Sequence, residues 1–225
     1  MSELPHPERK CCRDVTGVIL AAGEGKRFGG PKALAALGDE NFTSICIRKL
    51  RFAGIEEIFV VTGASSDKVE DSVHKSFQQD NFKDIRFISN EDWKSGVTSS
   101  IRAGFEHVPG TARAVLLMAV NYPLVKEQTV VTMIDLFLQE PGAESKLMVP
   151  IFEGQVGMPV MIGRDLFKEF ASFTAEDPLL SLARLVPSKS VCVAIDDQGA
   201  FFGITTRDDL IHAMQIMLSY DFEST

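Results

Sequence analysis

The chain has 225 residues, a formal charge of −8 and a hydrophobic fraction of 45%. That length and composition allow a substantial core. The acidic balance argues against a duplex or a long RNA as partner, because such binders present basic faces. No run of about 18 apolar residues occurs, so no membrane-spanning helix is expected. The polar start, Met1 to Asp14, lacks an apolar signal core, which gives a cytoplasmic expectation by default. The four cysteines, Cys11, Cys12, Cys46 and Cys192, show no zinc spacing. An adjacent N-terminal pair and two buried thiols in apolar runs are the expectation.

Strand and helix signals alternate along the chain. VTGVILA, from Val15, is a short apolar run of the kind that forms a strand buried on both faces. FTSICIRKLRFAG has helical spacing and ends at Gly54, a C-terminal cap. EEIFVVTG reads as a second strand, SSDKVEDSVHKSFQQ as an exposed helix capped by Ser65 or Ser66, and DIRFIS as a third strand. GVTSSIRAGFEHV reads as a helix, ARAVLLMAV as the most apolar and therefore central strand, KEQTVVTMIDLFLQ as a helix and KLMVP as a strand. After Pro150, IFEGQVGMPVMIG suggests two short strands in a lobe over the site. AEDPLLSLARLV reads as a helix, SVCVAID as a strand, and TRDDLIHAMQIML as a closing helix with Thr206 as N-cap.

This alternation predicts an α/β fold with a doubly wound, mostly parallel sheet. It is expected as one domain over residues 15–218, between tails at 1–14 and 219–225. Ligands of such sheets lie beyond the carboxyl ends of the strands. Loops starting at Ala21, Gly63, Ser89, Ala119 and Pro150 should therefore carry the chemistry.

The first of these loops holds Gly23, Gly25, Gly29 and Gly30, with Lys26, Arg27 and Lys32 in or just beyond it. It fits neither common phosphate motif. The dinucleotide fingerprint G-x-G-x-x-G needs a glycine where Phe28 stands. The P-loop G-x-x-x-x-G-K-[ST] fails because Pro31, Lys32 and Ala33 follow Gly30, and proline removes a backbone donor. The underlying physics still applies. Glycines let backbone N–H groups approach a triphosphate, Arg27 can fork onto phosphate oxygens, and Lys32 can add a point charge.

The whole string resembles L-A-A-G-x-G-x-R-[MF]-G-x-P-K-x-L, the signature of sugar-phosphate and cofactor nucleotidyltransferases. It is carried by Leu20, Ala21, Ala22, Gly23, Gly25, Arg27, Phe28, Gly29, an extra Gly30, Pro31, Lys32 and Leu34. The branch it resembles is the MobA-like molybdenum-cofactor cytidylyl- and guanylyltransferases, and the inserted glycine leans toward the cytidylyl type. NEDWKSGVTSSIRAGF, GQVGMPVMIGRDLF and DDQGAFFGITTRDDL resemble later blocks of the same family. The resemblance implies a Rossmann-like nucleotide-diphospho-sugar transferase architecture. It implies that the backbone of Leu20, Ala21, Ala22 and Gly23 surrounds the base of CTP or GTP. The loop through Glu24, Gly25 and Lys26 would wrap the triphosphate, with Arg27 and Lys32 as catalytic cations. Asn90 and Ser100 would touch base or ribose, and a phosphorylated acceptor such as molybdopterin would take the CMP or GMP moiety. Trp93 would line this site or plug the core edge.

Family members normally bind magnesium with two aspartates. In this chain Asn121 stands at the first position, Gly203 and Thr205 stand at the aspartates of the closing D-I-D-T-P, and Met158 replaces the histidine of G-H-P. Magnesium prefers anionic oxygen. Three readings stay open: a transferase whose magnesium rides mainly on substrate phosphates, a nucleotide or pterin binder without turnover, and a partner subunit of a molybdenum-enzyme assembly. Asp208 and Asp209 nearby fit a helix start, where carboxylates are favoured.

Overall fold

The computed structural model describes residues 12–77, 84–172 and 187–223. Its centre is strand β1 (Val15–Leu20), every residue of which is buried. Parallel neighbours cover both of its edges, β4 (Ile58–Thr62) on one side and β6 (Ala114–Ala119) on the other. With no edge or face open to water, the run carries no charged residue. Strand β5 (Ile85–Ser89) extends the sheet past β4. Beyond β6 come β9 (Val160–Gly163), β7 (Leu147–Phe152) and, at the edge, β10 (Ser190–Ala194). β8 (Gln155–Val156) folds back onto β7, while β2 (Ala36–Leu37) and β3 (Glu40–Asn41) form a separate hairpin. In the order β10-β7-β9-β6-β1-β4-β5, β6 is the central strand, as its apolar sequence predicts.

Helices α1 (Phe42–Phe52), α2 (Ser66–Ser76), α3 (Val97–Phe105), α4 (Glu127–Gln139), α5 (Phe167–Ser172), α6 (Gln198–Phe201) and α7 (Arg207–Glu223) complete the fold. Because side chains alternate along a strand, β1 feeds two cores. Val18 and Leu20 pack with Ile101 and Phe105 of α3 and Phe170 of α5. Val15 and Ile19 face the larger core, which contains Leu50 of α1, Val69 of α2, Met133 of α4 and Leu210 of α7. This is the doubly wound, mostly parallel architecture expected. Gly54 ends α1 at φ 85°, with its N–H on the Arg51 carbonyl. Thr206 accepts from the Asp209 N–H at 3.2 Å, and Asp209 accepts from the Thr206 N–H at 2.8 Å, a reciprocal cap for α7.

Several expectations are corrected. The stretch 151–163 forms no separate lobe. Pro150 lies inside β7, and β9 inserts antiparallel between β6 and β7, where its four residues are all buried. A short apolar run gains more by completing the central sheet than by covering a site as an exposed flap. Ser65 occupies the N-cap position of α2 without a side-chain cap bond; the Ser66 hydroxyl instead donates to the Gly63 carbonyl at 3.1 Å. Cys46 is buried, and burial pushes its thiol up to about 12, but Cys192 is exposed because β10 is an edge strand. The helix expected over 175–186, the N-terminal tail to Cys11 and the last residues of the 65–79 helix lie outside the described residues.

Candidate functional site

Strands β1, β4, β5 and β6 all end at one edge of the sheet, and the glycine loop leaves from the first. Its opening residues are held in the sheet. The Leu20 carbonyl accepts from the Val120 N–H, the Ala21 N–H donates to Val61, and the Ala22 carbonyl accepts from Ala64. Leu20, Ala21 and Ala22 are buried, whereas Gly23 is exposed, so the free part of the loop begins there. The Gly25 carbonyl then gathers the N–H groups of Phe28, Gly29 and Gly30 at 2.9, 3.0 and 3.1 Å. Gly25 has φ +69°, and a Cβ there would lie 1.8 Å from the Gly30 carbonyl oxygen. Only glycine fits this turn.

The turn sends the loop's cations to different fates. Lys26 pairs with Glu24 at 2.9 Å, so both residues neutralise each other within the loop. Arg27 is exposed. Lys32 is half-buried, and its pKa lies below the ordinary lysine value, chiefly through burial and then through repulsion by Arg27, with Asp209 opposing. Arg27, Lys32 and Asp209 thus share one electrostatic neighbourhood. Phe28 is the loop's anchor: its ring is buried against Phe42 at 6.3 Å.

Asn90 and Ser100 also come together. Asn90 is 6% exposed, and its amide donates to the Ser99 and Ser100 hydroxyls at 2.9 and 3.0 Å. Its carbonyl oxygen accepts from the Asp92 N–H at 3.0 Å. Both amide hydrogens are therefore used inside the protein, joining the loop after β5 to the start of α3. Trp93 packs where a Gly63 Cβ would stand, 2.8 Å from its own Cβ, and borders a polar hollow of about 430 Å³ with Gly63, Ser66, Ser89 and Asn90. It is half-exposed rather than a core plug.

The third cluster lies beyond β6. The Ile204 N–H donates to the Asn121 carbonyl at 2.7 Å, which fixes the closing segment against that strand end. A Cβ on Gly203 would lie 2.9 Å from the Asn121 amide nitrogen, so positions 121 and 203 face each other. The Thr205 hydroxyl donates to the Gly203 carbonyl at 3.3 Å. One of the two adjacent carboxylates, Asp209, accepts from the N–H groups of Thr205 and Thr206 at 2.7 and 2.8 Å, which holds its pKa below the usual range. Among the described residues, no group of three or more His, Cys, Asp or Glu side chains could hold a metal ion. An amide, a hydroxyl and a bare glycine bring no charge, so this donor set does not fit a magnesium ion held by the protein.

Arg207 was not signalled by the sequence. Its Nε donates to the Phe28 carbonyl at 3.0 Å, and its guanidinium lies 4.3 Å from the Phe28 ring centroid. It clasps the start of α7 to the glycine loop across 179 positions of sequence. No local pattern marks such a contact.

A family model described as MobA-like NTP transferase domain matches residues 17–191. Nicotine blue oxidoreductase of Paenarthrobacter nicotinovorans is 34% identical over 117 residues, which are 52% of this chain and 53% of that one; the chain thus spans about half that relative's length. A probable molybdenum cofactor guanylyltransferase of Bacillus cereus is 23% identical over 88% of this chain and 95% of its own. Among solved structures, Rv0371c of Mycobacterium tuberculosis superposes with TM-score 0.71 at 23% identity, covering 90% of this chain and 98% of that one. The same mycobacterial protein has also been solved in complex with manganese. Among the described residues, no helix is long and apolar enough to cross a membrane.

Proposed function

Because this chain belongs to the MobA-like NTP transferase family, we propose that it holds CTP or GTP on the glycine loop and transfers the CMP or GMP moiety to a phosphorylated acceptor of the molybdopterin kind. The observation that carries this reading is the loop itself. It is closed around the Gly25 carbonyl, exposed at Gly23, Lys26, Arg27 and Gly29, and flanked by Arg27 and Lys32. The full-length alignment with a probable molybdenum cofactor guanylyltransferase supports the choice of acceptor.

In this reading a phosphate oxygen of the acceptor attacks the α-phosphorus of the nucleotide. A new P–O bond forms, the bond to the β-phosphate oxygen breaks, and pyrophosphate leaves. Arg27 and Lys32 neutralise the charge that builds on the α-phosphate and the leaving group. Most of the remaining work is positioning. Arg207 holds the loop through Phe28, and Asn90 fixes Ser100, whose hydroxyl hydrogen can reach the base or ribose. The residues at 121, 203 and 205 do not fit a protein-held metal, so no step is assigned to one; magnesium would arrive on the nucleotide phosphates. The working unit is one domain over residues 15–218.

The uncharged corner at Asn121 and Gly203 favours a second reading, a homologue without turnover that binds nucleotide or pterin, or acts as an interaction subunit in molybdenum-enzyme maturation. Pyrophosphate release separates the two. With CTP or GTP and molybdopterin, the transferase releases one pyrophosphate per acceptor consumed. Nucleotide binding by calorimetry with no pyrophosphate release selects a binder without turnover, and no binding of either nucleotide at millimolar concentration rejects the transferase and favours the interaction subunit.

A further inference from the structure

The glycine loop and the hollow beside Trp93 do not account for a further, sizeable cavity in the described part of the molecule. That cavity, of about 890 Å³, opens on the face of the sheet covered by α1, α4 and α7. Asn90, Ser100 and residues 20–32 take no part in its lining. Ile45 and Lys49 of α1 form one wall, Phe152 and Phe201 a second, and Phe202 with His212 of α7 a third.

The size falls within the range of cavities that take small organic molecules. The walls narrow the chemistry further. Phe152 and Phe201 lie with ring centroids 5.9 Å apart, and Phe202 and His212 5.4 Å apart. Two aromatic pairs around one space favour a flat ring system, which gains offset-stacked or edge-to-face contacts on both sides. Phe152 is 49% exposed at the mouth, so an occupant would remove a large apolar surface from water.

The charges of the cavity are unevenly committed. Asp197 is buried and accepts from the Lys126 N–H, the Thr129 hydroxyl and the Gly199 N–H at 2.8, 2.6 and 2.9 Å. Glu40 pairs with Arg48 at 2.5 Å. Asp39 stands exposed at the rim. Lys49 is half-buried in the wall, and among the described residues it forms no ion pair; burial lowers its pKa, and Cys46, followed by Glu127, Asp197 and Glu40, only partly offsets this. A half-buried ammonium without a paired carboxylate is costly until a counter-charge arrives.

We propose that this cavity binds a small planar aromatic molecule carrying one acidic group, with its rings between the phenylalanines and its acid on the Lys49 ammonium. The site is separate from the nucleotide loop, and it stands or falls independently of it.

The test uses the full chain and 1-anilinonaphthalene-8-sulfonate, an aromatic monoanion whose emission rises in apolar surroundings. The expected result is saturable binding at one site per chain. Lys49→Met should weaken it about tenfold, the scale of one charged hydrogen bond. Ile45→Trp fills the space and should abolish binding; Phe152→Ser, at the exposed mouth, is the milder companion that leaves the core intact and should weaken the probe several-fold. CTP and GTP titrations should be unchanged in Lys49→Met and Phe152→Ser, which separates failure here from failure of the nucleotide reading. Absence of saturable binding, or binding indifferent to both Lys49→Met and Phe152→Ser, overturns the proposal. So does sedimentation as a dimer that Phe152→Lys dissociates, because the face would then be an interface between two copies.

Discussion

The glycine loop and the corner of Asn121 and Gly203 leave from adjacent parallel strands, β1 and β6, at the same edge of the sheet. The loop is built from backbone geometry that only its own residues permit, and it carries Arg27 and Lys32 beside the Lys26–Glu24 pair. The corner keeps the close approach of two chain segments and lacks the carboxylates that would give it a charge. Backbone cradles hold anions through N–H groups and need no metal. A metal corner works only with its ligands. The contrast separates two tasks that transferases of this family combine: holding a triphosphate and clamping it with an ion.

The strongest way to break the comparison is at Gly25. A Cβ 1.8 Å from the Gly30 carbonyl oxygen, at φ +69°, forces the loop to open. Gly25→Ala should reduce CTP and GTP affinity at least a hundredfold by calorimetry, while the strain lowers stability by about 1–3 kcal/mol. Unchanged affinity would mean that the loop is a surface turn and not a cradle.

Arg27→Ala and Lys32→Ala come next. Charged hydrogen bonds contribute about 1.5–3 kcal/mol each, so each variant should lose roughly ten- to hundredfold in nucleotide affinity without loss of fold. Lys32 also predicts a pH dependence. Burial holds its pKa below the ordinary 10.5, so its ammonium loses the proton earlier than an exposed lysine does as pH rises. Nucleotide affinity should fall across that alkaline window, and Lys32→Arg should flatten the fall. Stability moves the opposite way. The unfolded chain holds this proton more tightly, so the contribution of Lys32 to stability improves as pH rises from the folded toward the unfolded pKa.

The corner can be sharpened by rebuilding it. Asn121→Asp with Thr205→Asp should tighten nucleotide binding with magnesium present by roughly tenfold, a charge-assisted gain of about 1.4 kcal/mol. With a chelator the same charges should repel the triphosphate and weaken it. That change of sign cannot come from general stabilisation. If the double variant shows the magnesium dependence of the parent, positions 121 and 205 do not face the phosphates.

Arg207→Met removes the clasp on Phe28 while keeping an apolar stem over the ring. Its effect should be the smallest, a loss of about threefold to tenfold in nucleotide affinity, about 0.7–1.4 kcal/mol, because the cation–π contact and the hydrogen bond to a carbonyl act on the nucleotide only through the loop. Isothermal titration beside a thermal melt checks it. An equal loss of affinity and of melting temperature in Arg207→Lys would reduce the clasp to a general packing role.

The parts legible in the sequence were those set by local pattern. Buried parallel strands such as β1 and β6 announce themselves as short apolar runs, and Thr206 as a polar residue before a periodic one. The direction of β9 was not legible, since period-two patterning says nothing about which neighbour a strand joins. Exposure of Cys192 followed from an edge position that apolar neighbours do not reveal. In the site, glycines and cations were visible, but their division of labour was not. Glu24 takes Lys26 and Ser99 shares Asn90 only once the loops are folded. The Arg207–Phe28 contact and the aromatic cavity join segments far apart in sequence, and no spacing rule reaches across them.

The central claim is that this chain holds a triphosphate by its loop and cations, without a metal fixed by its own carboxylates. The most direct test is the affinity of the unaltered protein for CTP and GTP, measured by calorimetry with magnesium and again with excess chelator. Binding that persists in chelator, changed by less than about tenfold or 1.4 kcal/mol, is the predicted result. Loss of binding by a hundredfold or more when magnesium is removed would contradict it, because the loop and its cations would then not suffice to hold the triphosphate.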